Sequence, residues 1–162
     1  MGAHELSSLL WKERELLDVL TYKLETEQLL LTSGKTRWIQ YATAEVESVV
    51  EQLREAGLSC AVAASSVAEQ WGLPENASLG QIAQAAPAGP WGDIMKAHLA
   101  AMNIQTRAIR ALRDSNEQFL RAAARSAQET LSSVHPDTAG TYTARGQSAQ
   151  PARAARLFDT TL

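Results

Sequence analysis

Histidine and carboxylate residues are the first candidates for chemistry in this sequence, because helical proteins can hold iron with Glu-x-x-His pairs on two helices. The histidines are His4, His98 and His135, and no glutamate stands three residues before any of them. Met95 and Ser132 occupy that position before the last two. We therefore predict neither a metal site nor a bound cofactor.

A nucleophile is the second candidate, and Cys60 is the only cysteine. A single cysteine excludes an internal disulfide and a CxxC metal site. No glycine-rich elbow presents this thiol or a serine hydroxyl. The segment SGKT at 33–36 resembles the end of a phosphate-binding loop, but it lacks the upstream glycine and a preceding strand, so we interpret it as a turn. No catalytic residue is predicted, and we do not expect an enzyme.

Charge and hydropathy argue against further classes of protein, namely nucleic-acid-binding, membrane-inserted and secreted proteins. The 162 residues have a net charge of -3, so we expect no basic field for nucleic acid or anionic lipid. The chain has no apolar run of membrane-spanning length and no basic start of a secretory signal, which favours a cytoplasmic protein without membrane insertion. Arginines cluster on the last predicted helix, where acidic residues interrupt them, so we expect a solvated face. They are Arg107, Arg110, Arg113, Arg121 and Arg125.

Proline and glycine divide the chain into helices, since proline removes a backbone donor and glycine costs conformational entropy. Residues 3–33 contain neither and repeat leucine at alternating spacings of four and three, interrupted by Glu13 and Glu27. The pattern predicts a long first helix with a heptad seam. The Ser33–Gly34 pair should end it, because glycine accepts the left-handed conformation of a helix C-terminus. The seam leucines are Leu6, Leu10, Leu17, Leu20, Leu24 and Leu31.

A second helix is predicted from residue 37, after a possible cap at Thr36. Its apolar residues have helical spacing, and we expect Gly57 to end it. It runs antiparallel to the first helix or continues it. Short helices are expected between 58 and 92, one opening at Cys60 and ending near Trp71, the other capped by Asn76 or Ser78. Trp71 and Trp91 are expected to hold these short helices against the long ones.

The window 93–135 again lacks proline and glycine and predicts the longest helix. Its positive charge, opposite to that of the first helix, favours their pairing. We expect one helical domain over 1–135 and a mobile tail over 136–162, which is rich in small and polar residues. The predicted fold class is all-α. It is an elongated antiparallel bundle with a hairpin of the first two helices, a long last helix, and short helices in the middle.

The order of these segments is distinctive over residues 5–146. A leucine-rich opening, LSSLLWKERELLDVLTYKLETEQLLL, precedes a turn, a Glu-rich second helix and a broken middle. The long last helix then carries the apolar-and-Asn stretch IRALRDSNEQFLRAAARSAQETL, and YTARGQ supplies a Tyr-x-x-x-Gly element. Together these segments resemble the FlgN family of cytoplasmic flagellar export chaperones.

The resemblance implies a protein that binds the helical C-terminal segment of the hook-associated proteins FlgK and FlgL, prevents their polymerisation and delivers them to the flagellar export gate. We expect a monomer or weak dimer. In the family the C-terminal half holds the client. Asn116 would then set specificity, because a buried amide without a partner costs about 1–3 kcal/mol, although a capping or water-facing role is equally open. The implied partner-binding residues are Leu112, Asn116, Phe119, Leu120, Ala123 and Tyr142.

Two other interpretations stay open. The leucine seam could pair with its own copy in a homo-oligomeric coiled-coil scaffold or adaptor. A secreted helical hairpin of the WxG type is the other, although Trp71–Gly72 and Trp91–Gly92 lack the intervening residue. Light scattering separates the scaffold from the chaperone, because a stable tetramer or larger assembly would contradict the chaperone.

Overall fold

The structure is a computed structural model that describes residues 2–134. These residues form four α-helices and one 3-10 turn, with no strand among them, which confirms the all-α class. None of these helices combines the length and apolar character that crossing a membrane requires. The helices are α1 (Ala3–Thr32), α2 (Ile39–Gln70), α3 (Leu79–Ala85) and α4 (Trp91–Val134), and the 3-10 turn is Thr36–Trp38.

The chain divides into two compact units part-way along α4. The first unit, Met1–Ala122, holds α1, α2, α3 and most of α4. In the second unit, Ala123–Leu162, residues 123–134 are helical and all their side chains are exposed. The predicted tail, 136–162, lies outside the described residues, and the domain limit at residue 135 stays a prediction.

α1 and α2 form an antiparallel hairpin, one of the two arrangements expected for them. Leu6, near the start of α1, packs in one buried cluster with Val67 of α2. Leu24, near the end of α1, packs in another with Val49. The α2 numbers fall as the α1 numbers rise, as antiparallel helices require. The predicted seam therefore forms the core of the hairpin, and its buried leucines are Leu6, Leu10, Leu17, Leu20 and Leu24.

The predicted glycine stop ends α1. Gly34 has a φ of 69°, in the left-handed region that favours glycine. Its N–H donates to the Leu31 carbonyl at 3.3 Å, and the Lys35 N–H donates to the Leu30 carbonyl at 3.1 Å. Two terminal carbonyls of α1 are thereby satisfied. The cap predicted at Thr36 is wrong, because this residue opens the 3-10 turn and α2 begins without a side-chain cap.

α2 does not end at Gly57, so this predicted boundary is wrong. The helix runs through the glycine as one element, and the short helix expected from Cys60 is part of it. An interior glycine costs about 1 kcal/mol relative to alanine, which the apolar side chains buried on both sides of it outweigh. The helix ends before Gly72, which has a φ of 72°. There the Leu73 N–H donates to the Ala68 carbonyl at 2.8 Å.

α3 is capped at one of the two residues that the sequence predicts. The Gln81 N–H donates to Ser78 Oγ at 3.3 Å, and the Ser78 N–H donates to Gln81 Oε1 at 2.8 Å, a reciprocal capping box. Ile82 is fully buried in the first apolar cluster, and Trp71 and Trp91 pack against the same cluster. The expectation that these tryptophans hold short helices against the long ones is confirmed for α3.

α4 runs parallel to α1. Ser7 contacts His98, and the Leu24 carbonyl accepts from Asn116, pairs whose sequence separations are 91 and 92. A constant separation means that both helices run in one direction. The expected pairing of these oppositely charged helices is therefore observed. Within the described residues, however, hydrogen bonds and apolar packing make this contact, and no ion pair joins the two helices.

Candidate functional site

The six predicted partner-binding residues differ in accessibility. Tyr142 lies outside the described residues. Ala123 lies in the second unit, where its side chain is exposed. The remaining four lie on α4 within the first unit, where two are exposed and two face the hairpin. They are Leu112, Asn116, Phe119 and Leu120.

Asn116 belongs to a polar layer that joins α1, α2 and α4. Its Nδ2 donates to Glu27 Oε2 at 3.0 Å and to the Leu24 carbonyl at 2.9 Å. From α2, Thr43 Oγ1 donates to Glu27 Oε1 at 2.7 Å. Asn116 is only 2% exposed and Glu27 only 5%. Both carboxylate oxygens therefore receive a donor, which burial demands because an uncompensated buried charge costs several kcal/mol.

This layer bears on the specificity role expected for Asn116. A client can reach the Asn116 amide only if α4 first separates from α1, because the amide is buried between them. Its Oδ1 is buried without a hydrogen-bond partner in the described part of the chain, a situation that costs about 1–3 kcal/mol. Leu112, one turn earlier, is half-buried against the second apolar cluster. In the structure both residues hold α4 against the hairpin, and their contact with a client stays a prediction.

Phe119 and Leu120 present apolar surface to solvent, at 41% and 36% exposure. Because Asn116 lies beside Leu24, Phe119 falls close to the last turn of α1, which ends at Thr32. The hairpin therefore gives these two side chains less cover than it gives Met95 and Ile109 earlier on α4. An exposed aromatic and leucine at this place are suited to anchor an apolar stripe of another helix.

A second polar cluster surrounds the buried His98, nearer the start of α4. Its Nε2 lies 3.0 Å from Ser7 Oγ, and its Nδ1 lies 3.5 Å from Arg14 Nη1. Since a guanidinium only donates, Nδ1 accepts and the ring proton is assigned to Nε2. Burial, and then the positive charge of Arg14, lowers the pKa of His98 below 6.5. Trp11 packs edge-on against the imidazole at 5.3 Å, so His98 is a packed neutral side chain.

Gln105 continues the polar contacts between α1 and α4. Its Nε2 donates to Asp18 Oδ1 at 2.6 Å and to the Arg14 carbonyl at 3.1 Å. Gln28 Nε2 adds a bond to Ser115 Oγ at 3.0 Å. The contact between the two helices is therefore polar at intervals along the first unit.

Cys60 lies in the α2 seam opposite Glu13 of α1. Burial, and then a hydrogen bond and the negative charge of Glu13, raises the pKa of the thiol to about 12. A thiol that keeps its proton at neutral pH is a weak nucleophile. Cys60 is therefore placed as a core residue rather than as a covalent catalyst.

The remaining chemical candidates lie on the surface. The five clustered arginines of α4 are exposed, which confirms the predicted solvated face, and Arg121 hydrogen-bonds to Glu117 one turn earlier. Within residues 2–134, no group of three or more His, Cys, Asp or Glu side chains could hold a metal ion.

Sequence reasoning missed an exposed aromatic pair at the turn between α1 and α2. Trp38 and Tyr41 are 44% and 59% exposed. Their ring centroids lie 5.8 Å apart, and the Arg37 guanidinium lies 4.7 Å from the Trp38 ring. The signal was present in the sequence, because the segment TRWIQY places its aromatics outside both heptad seams.

The outer face of α2 was also missed. Leu58 and Val62, one turn apart, are exposed. A groove of about 800 Å³ runs past Val62 and is edged by Glu69 and Glu75. Leu58 and Val62 do not fall at the helical spacing of the buried residues of α2. That mismatch was the only sign in the sequence that they would be exposed.

Comparison with known proteins adds one result. The FlgN family model, described as FlgN protein, matches residues 1–150. No curated protein and no solved structure matches the chain.

Proposed function

The chain belongs to the FlgN family of flagellar export chaperones, and we propose on this premise that it binds a helical segment of a flagellar hook-associated protein. The clients we propose are FlgK and FlgL. Binding would keep their terminal helix from polymerising before export. The step that follows would be delivery to the flagellar export gate. Tyr142 is a proposed contact for the client or for the gate.

The exposed pair Phe119 and Leu120 supports this proposal most directly. Both lie on α4 near the end of α1, and both are exposed. An amphipathic client helix buries its apolar stripe on such a surface and keeps its polar face in water. In interfaces, the few residues that dominate binding cost about 2 kcal/mol or more when truncated, and buried aromatic anchors are frequent among them. Ala123, exposed in the second unit, and Leu112 and Asn116, which face the hairpin, stay proposed contacts.

The competing coiled-coil scaffold is less well supported. That interpretation needs the leucine seam of α1 to pair with a second copy. In the structure five of the six seam leucines, all but Leu31, are buried within the chain, in clusters that also contain residues of α2 and α4. A monomer or weak dimer is therefore the proposed state, and light scattering of the purified chain tests it.

Charge substitution at the anchor pair tests the client site. We expect Phe119→Asp combined with Leu120→Asp to abolish capture of synthetic C-terminal segments of FlgK and FlgL in calorimetric titration. Circular dichroism should show unchanged helicity, because both side chains are exposed. The matched control is Ile104→Asp with Ala108→Asp, which places the same two charges on exposed positions of the same helix.

Three results would contradict the proposal. Undiminished binding by the anchor variant would remove Phe119 and Leu120 from the site. An equal loss in the control variant would show that added charge alone prevents binding. Failure of the unmodified chain to bind either segment would refute the proposed clients.

A further inference from the structure

The turn between α1 and α2 combines aromatic side chains with cations and has no carboxylate. We define the hairpin tip as residues 32–41, TSGKTRWIQY, which include two cations, two aromatics and no Asp or Glu. This composition is opposite in sign to the chain as a whole, whose net charge is -3. The tip is therefore a local basic and aromatic surface on an acidic protein.

The aromatic side chains of the tip project into solvent instead of packing into the core. Trp38 and Tyr41 contact each other, and Leu29, on the last turn of α1, is also exposed. No residue of the tip is buried. Exposed apolar clusters of this kind mark contacts with proteins or membranes.

The cations of the tip are not neutralised within the described residues. Neither Lys35 nor Arg37 forms an ion pair there, and Arg37 lies against the face of Trp38. The closest acidic residue along α2, Glu45, is already paired with Lys23 at 2.7 Å. The positive charge is therefore available to an anionic partner.

The shape and chemistry of the tip indicate a flat anionic surface. The tip is a turn at the end of two helices, and the groove described on α2 is lined by other residues. Tryptophan and tyrosine concentrate at the membrane–water interface, and lysine and arginine beside them are attracted to anionic headgroups. We propose that the hairpin tip adsorbs to the surface of a membrane containing anionic phospholipid, with no helix crossing the bilayer.

This adsorption is weak and depends on charge. A lysine or arginine near an anionic surface contributes about fivefold to binding, so the two cations of the tip contribute about 30-fold together. The attraction falls within about 10 Å at 0.1 M salt. The proposal does not rest on client binding, which uses other residues.

Vesicle flotation of the full chain tests the proposal. The probes are vesicles of phosphatidylcholine alone and vesicles in which about a third of the lipid is phosphatidylserine. We expect flotation with the anionic vesicles only, decreasing as salt rises. Lys35→Gln with Arg37→Gln should weaken it about 30-fold, and Trp38→Ser with Tyr41→Ser should remove it.

The matched control is Leu58→Ser with Val62→Ser, which removes a comparable exposed apolar pair from the outer face of α2 and should leave flotation unchanged. Absence of flotation by the unmodified chain would overturn the proposal. Equal flotation with both vesicle types, or an equal loss in the control, would also overturn it. Loss of client capture by the tip variants, without vesicle binding, would assign the tip to the client instead.

Discussion

The buried layer of Glu27, Thr43 and Asn116 makes a quantitative prediction about stability. A hydrogen bond to a charged group contributes about 1.5–3 kcal/mol. Asn116→Leu leaves Glu27 Oε2 without its side-chain donor, so we expect the free energy of unfolding to fall by about 2–3 kcal/mol. Glu27→Leu removes one of the two acceptors of Asn116 Nδ2, which keeps the Leu24 carbonyl, and it removes the acceptor of the Thr43 hydroxyl. Both donors are neutral, so we expect a smaller loss of about 1–2 kcal/mol.

The double variant should be much more stable than the sum of these losses predicts. Replacing both partners by leucine removes the buried charge and the unpartnered Asn116 Oδ1 together, and such exchanges are often neutral or stabilising. We therefore expect a coupling energy of about 2 kcal/mol or more between the two positions.

Urea unfolding followed by circular dichroism measures the four free energies of this cycle. The control cycle is Lys23→Ala with Glu45→Ala, an ion pair whose acidic partner is exposed, for which we expect a coupling below about 1 kcal/mol. Additivity within about 0.5 kcal/mol at Glu27 and Asn116 would refute the reasoning. An Asn116→Leu variant of unchanged stability but altered client preference would return that residue to the role implied by the family resemblance.

Three further predictions concern groups elsewhere in the chain. Cys60, whose pKa is raised to about 12, should react with a disulfide reagent at pH 8 only as fast as the chain opens, and rapid labelling of the native chain would contradict this. His98 has a lowered pKa, so the unfolded chain binds more protons and stability should fall as the pH drops below about 6.5; a His98→Gln variant that keeps the same decline in its urea midpoint would exclude this histidine as the cause. Ser78→Ala should lower the free energy of unfolding by about 1 kcal/mol through loss of the capping box, and an unchanged urea midpoint would count against it.

The sequence predicts the local parts of the fold well. The leucine spacing of α1, the stop at Gly34 and the cap at Ser78 depend on neighbouring residues, and all three are present. Gly57 misled the prediction because it has the chemistry of a helix end. Its cost is small beside the apolar contacts of a helix that continues past it.

Contacts between distant segments were harder to predict. Glu27 breaks the leucine pattern visibly, but nothing in the sequence says that Asn116 and Thr43 supply its donors. Similarly, opposite charge suggested that α1 pairs with α4, whereas among the described residues no ion pair joins them, and most side-chain donors there are neutral, such as Gln105. Heptad positions are alike from one repeat to the next, so spacing alone does not reveal which repeats meet.

The polar contacts between α1 and α4 have a consequence for alignment. Two helices with heptad seams can slide past each other by seven residues and still bring apolar rows together. His98, Gln105 and Asn116 find their partners in a single alignment, and a slip would leave Glu27 facing an apolar neighbour. These hydrogen bonds therefore stabilise one alignment of α1 and α4 over the alignments shifted by seven residues. They thereby fix which turn of α4 reaches the end of the hairpin, and so where Phe119 is presented.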